Sequence, residues 1–149
     1  MKNKITAFVP IKLNSSRLKN KNILDLGGIP MCQYIFDTLL QVNGIDEIYV
    51  FCSDEVIEEY VPEKVKFLKR EKSLDGDLVK GMDIYAEFIS KIDSEYYLLC
   101  HTTSPFLASN SIQEGVNAVL LNNHDSSFCV EKISTFAWYK NKPLNYLLD

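Results

Sequence analysis

Apolar residues gather along this chain into short continuous runs, separated by longer stretches in which they recur every three or four positions. Runs rich in β-formers stand at Ile5–Ile11, Glu47–Cys52, Val65–Leu68 and Tyr96–His101, with a fifth at Ser126–Val130. In Pro30–Gln41, Met31, Ile35 and Leu39 recur at helical spacing, Tyr34 and Phe36 widen the stripe, and Pro30 suits the first turn. Further helices are predicted at Leu78–Ile92 and Ser109–Leu121, the latter with Asn110 or Ser109 as N-cap. Strands alternating with helices make βαβ units, whose crossovers join parallel strands. The predicted fold is therefore a three-layer α/β sandwich on a mostly parallel sheet. In such sheets ligands collect at the carboxyl ends of the strands. The segments at those ends are Lys12–Asn22, Ser53–Glu55, Lys69–Asp77 and Thr102–Leu107.

Length and charge narrow the picture. With 149 residues, 46% hydrophobic and 24% charged, the chain has the size of one domain that buries roughly 70% of its unfolded surface. Residues 1–149 are read as that single domain. A formal net charge of −4 argues against nucleic-acid or membrane partners, although a local cationic cluster can still hold a small anion. Ile5–Ile11 is too short for a signal sequence and lacks a cleavage site, and no run approaches the ~20 residues of a membrane span. A cytoplasmic protein is expected. Cys32, Cys52, Cys100 and Cys129 are too far apart for a CxxC pair and sit among apolar neighbours, as core thiols do. A zinc site assembled with His101 or His124 is the alternative, without local spacing to support it.

The most informative stretch is the loop after the first run. Lys12-Leu13-Asn14-Ser15-Ser16-Arg17-Leu18-Lys19-Asn20-Lys21-Asn22 holds four cations and no acid. Its Asn and Ser residues favour turns that aim backbone N–H groups inward, the nest geometry that cradles phosphate oxygens. Having no glycine, it is neither a Walker loop nor a GxGxxG fingerprint. The plainer reading is a solvated surface loop.

Val9-Pro10-Ile11-Lys12-Leu13-Asn14-Ser15-Ser16-Arg17-Leu18, then Lys21-Asn22 and Gly27-Gly28-Ile29-Pro30, resembles the opening of the acylneuraminate cytidylyltransferases, relatives of the CMP-sialic acid synthetases. Further landmarks come in order through the whole chain: Ser53-Asp54, Lys69-Arg70 through Leu74 to Asp77, and Thr103-Ser104-Pro105-Phe106. The resemblance implies a Rossmann-like nucleotidyltransferase fold of the GT-A kind. It implies transfer of CMP from CTP to an acidic, nonulosonic-type sugar with release of pyrophosphate, assisted by Mg²⁺ in a homodimer.

Position by position, it implies that the Lys12–Asn22 loop wraps CTP, with Leu13 and Asn14 reading the base, Ser15 and Arg17 in the same nucleotide-binding loop, and Lys21 and Asn22 on the triphosphate. Lys12 and Lys21 are the catalytic candidates, Lys12 standing where many relatives carry arginine. Arg70 matches an arginine near the nucleotide, its alternative being a surface ion pair with Glu71 or Asp75. His101 stands where sialate-activating relatives carry glutamine, facing the sugar, or else packs at its strand end. Thr102, Thr103 and Ser104 are placed to bond sugar hydroxyls, or to cap a helix after Pro105. Metal ligands are not assigned, since Asp54, Asp75 and Asp77 are equally explained by capping or solvation and the family's acidic ligands fall largely beyond this sequence. Trp138, Tyr139 and Tyr146 in a segment without tail-like composition suggest a truncated domain. By itself such a chain is expected to bind rather than turn over. The remaining alternatives are a nucleotidyltransferase for another sugar or polyol phosphate, and a non-catalytic nucleotide-binding module.

Overall fold

A computed structural model describes residues 4–15, 18–122, 124–132 and 134–145. Its centre is a four-stranded sheet of β1 (Ile5–Ile11), β4 (Glu47–Cys52), β5 (Lys66–Lys69) and β6 (Tyr96–Leu99), in the order β5-β4-β1-β6. All three pairings are parallel. Two hairpins accompany it, β2 (Asp25–Leu26) with β3 (Ile29–Pro30), and β7 (Trp138–Tyr139) with β8 (Lys142–Pro143). The first turns on Gly27 and Gly28 at φ +68° and +102°, where a residue with a Cβ would be strained.

β1 is buried along nearly its whole length because both faces of the sheet are covered. On one face Ile5, Ala7, Val9 and Ile11 join Ile48, Val50 and Cys52 in an aliphatic cluster. The cover comes from α1 (Met31–Leu40), through Cys32, Ile35, Phe36 and Leu39, and from α3 (Ser109–Leu120), through Ile112 and Val116. On the other face Phe8, Tyr49 and Phe51 meet Phe88 of α2 (Gly81–Lys91). Phe88 stacks on Phe8 with ring centroids 4.2 Å apart and meets Tyr49 and Phe51 edge to face. Truncating a buried phenylalanine of this kind costs about 3–5 kcal/mol. Helices on both faces of a parallel sheet complete the three layers that the alternating pattern predicts.

Some local expectations are corrected. Ser126–Val130 is not a strand: it is exposed, and the Ser127 hydroxyl donates to the Gly115 carbonyl of α3 at 2.8 Å, which lays the segment along the helix. Cys129 is accordingly exposed, whereas Cys32, Cys52 and Cys100 are buried as expected. The N-cap of α3 is Ala108, so Ser109 and Asn110 lie inside the helix. α2 begins at Gly81, three residues later than its periodicity suggests, because Asp83 accepts from the Lys80 N–H at 3.2 Å and fixes the start there. No helix among the described residues is long and apolar enough to cross a membrane.

Candidate functional site

The order β5-β4-β1-β6 places the reversal of chain direction across the sheet between β1 and β6. Beyond the carboxyl ends of β1, β4 and β5 an open groove of about 550 Å³ is formed. Leu13, Asn14, Lys19 and Asn20 supply one wall, Ser53, Asp54, Glu55 and Val56 the floor, and Lys69, Lys72 and Asp75 the opposite wall.

The first wall is shaped by the backbone. The Leu13 carbonyl accepts from the N–H groups of both Ser15 and Asn20, each at 3.0 Å. Asn20 reaches the left-handed region at φ 58°, a conformation asparagine tolerates well, and a short 3₁₀ turn, Lys21–Ile23, comes next. The loop thus closes on Leu13, which is itself buried.

Charge in the groove is mixed and largely paired. Lys69 bridges Glu55 at 2.6 Å, and Asp54 caps the 3₁₀ helix Glu55–Tyr60 through the Val56 N–H at 3.1 Å. Asp75 accepts from the Arg70 guanidinium at 2.6 Å and from the Ser53 hydroxyl. Lys19 and Lys72, from opposite walls, form no ion pair among the described residues. They are the groove cations available to an anion.

Of the residues chosen from sequence, Leu13 and Asn14 line the groove. Lys12 is turned to Asp77, which it bridges at 2.9 Å, outside the groove lining. Ser15, Lys21 and Asn22 belong to the closed loop without lining the groove. Arg17 lies outside the described residues, as does Tyr146. Arg70 makes an ion pair with Asp75, as one of its two readings expects, but a buried one: the guanidinium also donates to the Phe51 carbonyl at 3.4 Å and lies over the Phe51 ring, 5.8 Å from its centroid. It reaches the groove only through Asp75.

The loop after β6 is separate. His101, Thr103 and Ser104 are exposed in a turn closed by the Ser104 N–H on the His101 carbonyl at 3.3 Å, and no helix follows Pro105 directly. Neighbouring atoms strip enough water from the His101 ring to lower its pKa below the ordinary value. Thr102 is buried and its hydroxyl donates to Asn22 Oδ1 at 2.7 Å, a contact spanning the two loops that no sequence spacing announces. Lys69 and Lys72 line the groove from the Lys69–Asp77 segment that the strand-end rule singles out, although neither is chosen individually as a site residue.

Among the described residues no group of three or more His, Cys, Asp or Glu is placed to hold a metal. Asp75 and Asp77 are committed to cations and Asp54 to its cap. The described residues therefore do not fit a metal site built by protein ligands.

Residues 6–149 match the model of the family described as cytidylyltransferase. The chain is 27% identical over 110 residues to 3-deoxy-manno-octulosonate cytidylyltransferase of Escherichia coli, covering 74% of this chain and 44% of that protein. It is 26% identical over 140 residues to N-acylneuraminate cytidylyltransferase of Streptococcus agalactiae serotype III, covering 91% and 32%. It spans about half the length, or less, of these curated relatives. A solved CMP:2-keto-3-deoxy-manno-octonic acid synthetase complexed with CTP matches with a TM-score of 0.67 at 25% identity, over 78% of this chain and 47% of that one. Bifunctional IspDF from Campylobacter jejuni matches with a TM-score of 0.71 over 96% and 37%, at 17% identity a likeness of fold alone. The parallel sheet with flanking helices is thus the Rossmann-like nucleotidyltransferase fold. Fold, strand-end groove and a match over almost the entire chain lead to one conclusion: this chain belongs to the cytidylyltransferase family.

Proposed function

We propose that the chain carries the CTP-binding part of an enzyme that transfers CMP to an acidic 2-keto sugar and releases pyrophosphate. The observation that carries this reading is the groove at the carboxyl ends of β1, β4 and β5, walled by the closed Leu13–Asn20 loop and flanked by Lys19 and Lys72. The names of the relatives supply the acceptor class, 3-deoxy-manno-octulosonate or N-acylneuraminate.

In this reading the sugar hydroxyl forms a bond to the α-phosphorus while the bond to the β-phosphate breaks. Such a displacement depends on positioning and charge neutralisation more than on covalent help. Backbone groups at Leu13 and Asn14 hold the base, Lys19 and Lys72 oppose the triphosphate from the two walls, Lys21 reaches it from the loop, and Lys12 does so on exchanging Asp77 for phosphate. Each well-placed electrostatic contact of this kind contributes roughly a hundredfold in rate. His101, whose pKa desolvation lowers, stands with Thr103 and Ser104 toward the acceptor. Arg70 shapes the wall through Asp75. Mg²⁺ would add charge neutralisation at the phosphates. Exposed Phe128, Val130, Phe136, Trp138 and Tyr139 support a covered face, such as a homodimer would provide. A second reading, a nucleotide-binding module without turnover, is favoured by the commitment of Asp75 and Asp77 to cations.

Calorimetry with CTP, ATP and GTP tests the proposal. CTP is expected to bind most tightly, and Lys21→Ala to weaken CTP by about tenfold while leaving cytidine binding intact. Equal affinity for all nucleotides, or none for CTP, refutes the cytidylyl assignment. Pyrophosphate release with either acceptor sugar separates the enzyme from the silent module.

A further inference from the structure

Beyond the carboxyl ends of β1 and β6, the strands flanking the reversal of the sheet, a buried polar link joins the two loops. The Thr102 hydroxyl donates to Asn22 Oδ1 at 2.7 Å, and Asn22 Nδ2 donates to the Lys12 carbonyl at 2.9 Å. Both side chains are buried, Thr102 at 3% and Asn22 at 7% exposure. Asn22 thus spends its amide inside the protein, and Thr102 fixes which way that amide is turned, because only Oδ1 can accept from the hydroxyl.

The Lys12 carbonyl shares one planar peptide unit with the Leu13 N–H, the two pointing in opposite directions. Pinning the carbonyl therefore pins the Leu13 amide, in the residue whose own carbonyl closes the loop and whose atoms line the groove. Given that the groove binds CTP, we infer that Thr102 is a positioning residue for nucleotide recognition: acting through Asn22, it orients the Lys12–Leu13 peptide from the loop on the acceptor side. The link makes base selectivity depend on a residue that touches no nucleotide. Its removal leaves Asn22 Oδ1 buried without its donor, so the amide turns or takes up water and the peptide loses its fixed orientation.

The test compares CTP and ATP binding to the wild type, Thr102→Val and Thr102→Ser by calorimetry, with thermal unfolding of each. Thr102→Val, nearly isosteric but without the hydroxyl, is expected to lose about tenfold of the preference for CTP over ATP while still folded. Thr102→Ser is expected to keep that preference. Should Thr102→Val fail to fold, Asn22→Asp removes the donor to the Lys12 carbonyl instead and is expected to show the same loss. A folded Thr102→Val or Asn22→Asp variant with undiminished CTP preference overturns the inference, whatever its melting temperature. A wild type that does not prefer CTP overturns the functional reading itself, and this inference with it.

Discussion

Removing the Asp75 carboxylate should destabilise the protein more than removing its arginine partner, although Arg70 is the larger and more buried of the two. The Arg70 side chain is 1% exposed and that of Asp75 21%. Asp75→Ala strands a guanidinium inside the protein, and breaking a buried pair from one side costs about 3–5 kcal/mol. Water entering beside the partly open Asp75 site lowers this to about 2–4 kcal/mol. For a chain of this length that corresponds to a fall in melting temperature of about 6–12 °C. Arg70→Met instead fills the same space with an apolar stem and leaves a carboxylate that water and the Ser53 hydroxyl can both satisfy. It should cost about half as much, and the double variant should be more stable than Asp75→Ala alone. Urea unfolding of the three variants, with CTP calorimetry on each folded protein, gives the comparison. An Arg70→Met variant less stable than Asp75→Ala refutes the reasoning. A hundredfold loss of CTP affinity in Arg70→Met with stability intact would place the guanidinium on the nucleotide rather than inside the wall.

Two further expectations rest on surface and thiol chemistry. Burial pushes the Cys100 thiol up to about 12 and the Cys32 thiol up to about 11, and also raises that of Cys52; Cys129 is exposed. A thiol reagent at pH 8 should therefore label Cys129 alone in the native protein and all four cysteines in denaturant, and rapid native labelling of Cys100 would contradict the described core. Glu47 is held below the ordinary carboxylate range by Lys66 at 2.5 Å and Lys4 at 2.9 Å. A depressed carboxylate stabilises the fold above its unfolded pKa and loses that contribution as pH falls through the folded one. Stability should thus decline on acidification below about pH 5, less steeply in Glu47→Gln and less steeply in high salt; an identical acid limb in the variant would show that the two lysines contribute nothing there.

The main sheet and its three helices were legible because the central strands β1 and β4 are covered on both faces and read as continuous apolar runs. Ser126–Val130 carries a similar composition but stands against α3, where the Ser127 contact with Gly115 decides its path. Composition cannot tell a sheet partner from a helix partner. The loop after β1 was legible as a groove wall because it follows the first strand, although among the described residues only Lys19 of its cations lines the groove. The opposite wall was legible as the segment Lys69–Asp77, but its individual groove residues Lys69 and Lys72 emerge only when β5 is set beside β4. Arg70 shows the same limit: the sequence offers Asp75 as a partner, while its burial under the end of β4 is a product of the parallel pairing. Thr102 and Asn22 are 80 residues apart in sequence, and no local pattern connects them.

The separation of aromatic residues between core and hairpin has an optical consequence. Phenylalanine and tyrosine make up the cluster beneath α2, whereas the single tryptophan, Trp138, stands half exposed in the β7–β8 hairpin. Tryptophan emission therefore watches the hairpin and its neighbours, while Tyr49, Tyr85 and Tyr97 put tyrosine absorbance against the sheet and Tyr139 shares the hairpin. An event that covers the hairpin without disturbing the core would be read most directly in tryptophan emission, since Trp138 has no counterpart in the sheet.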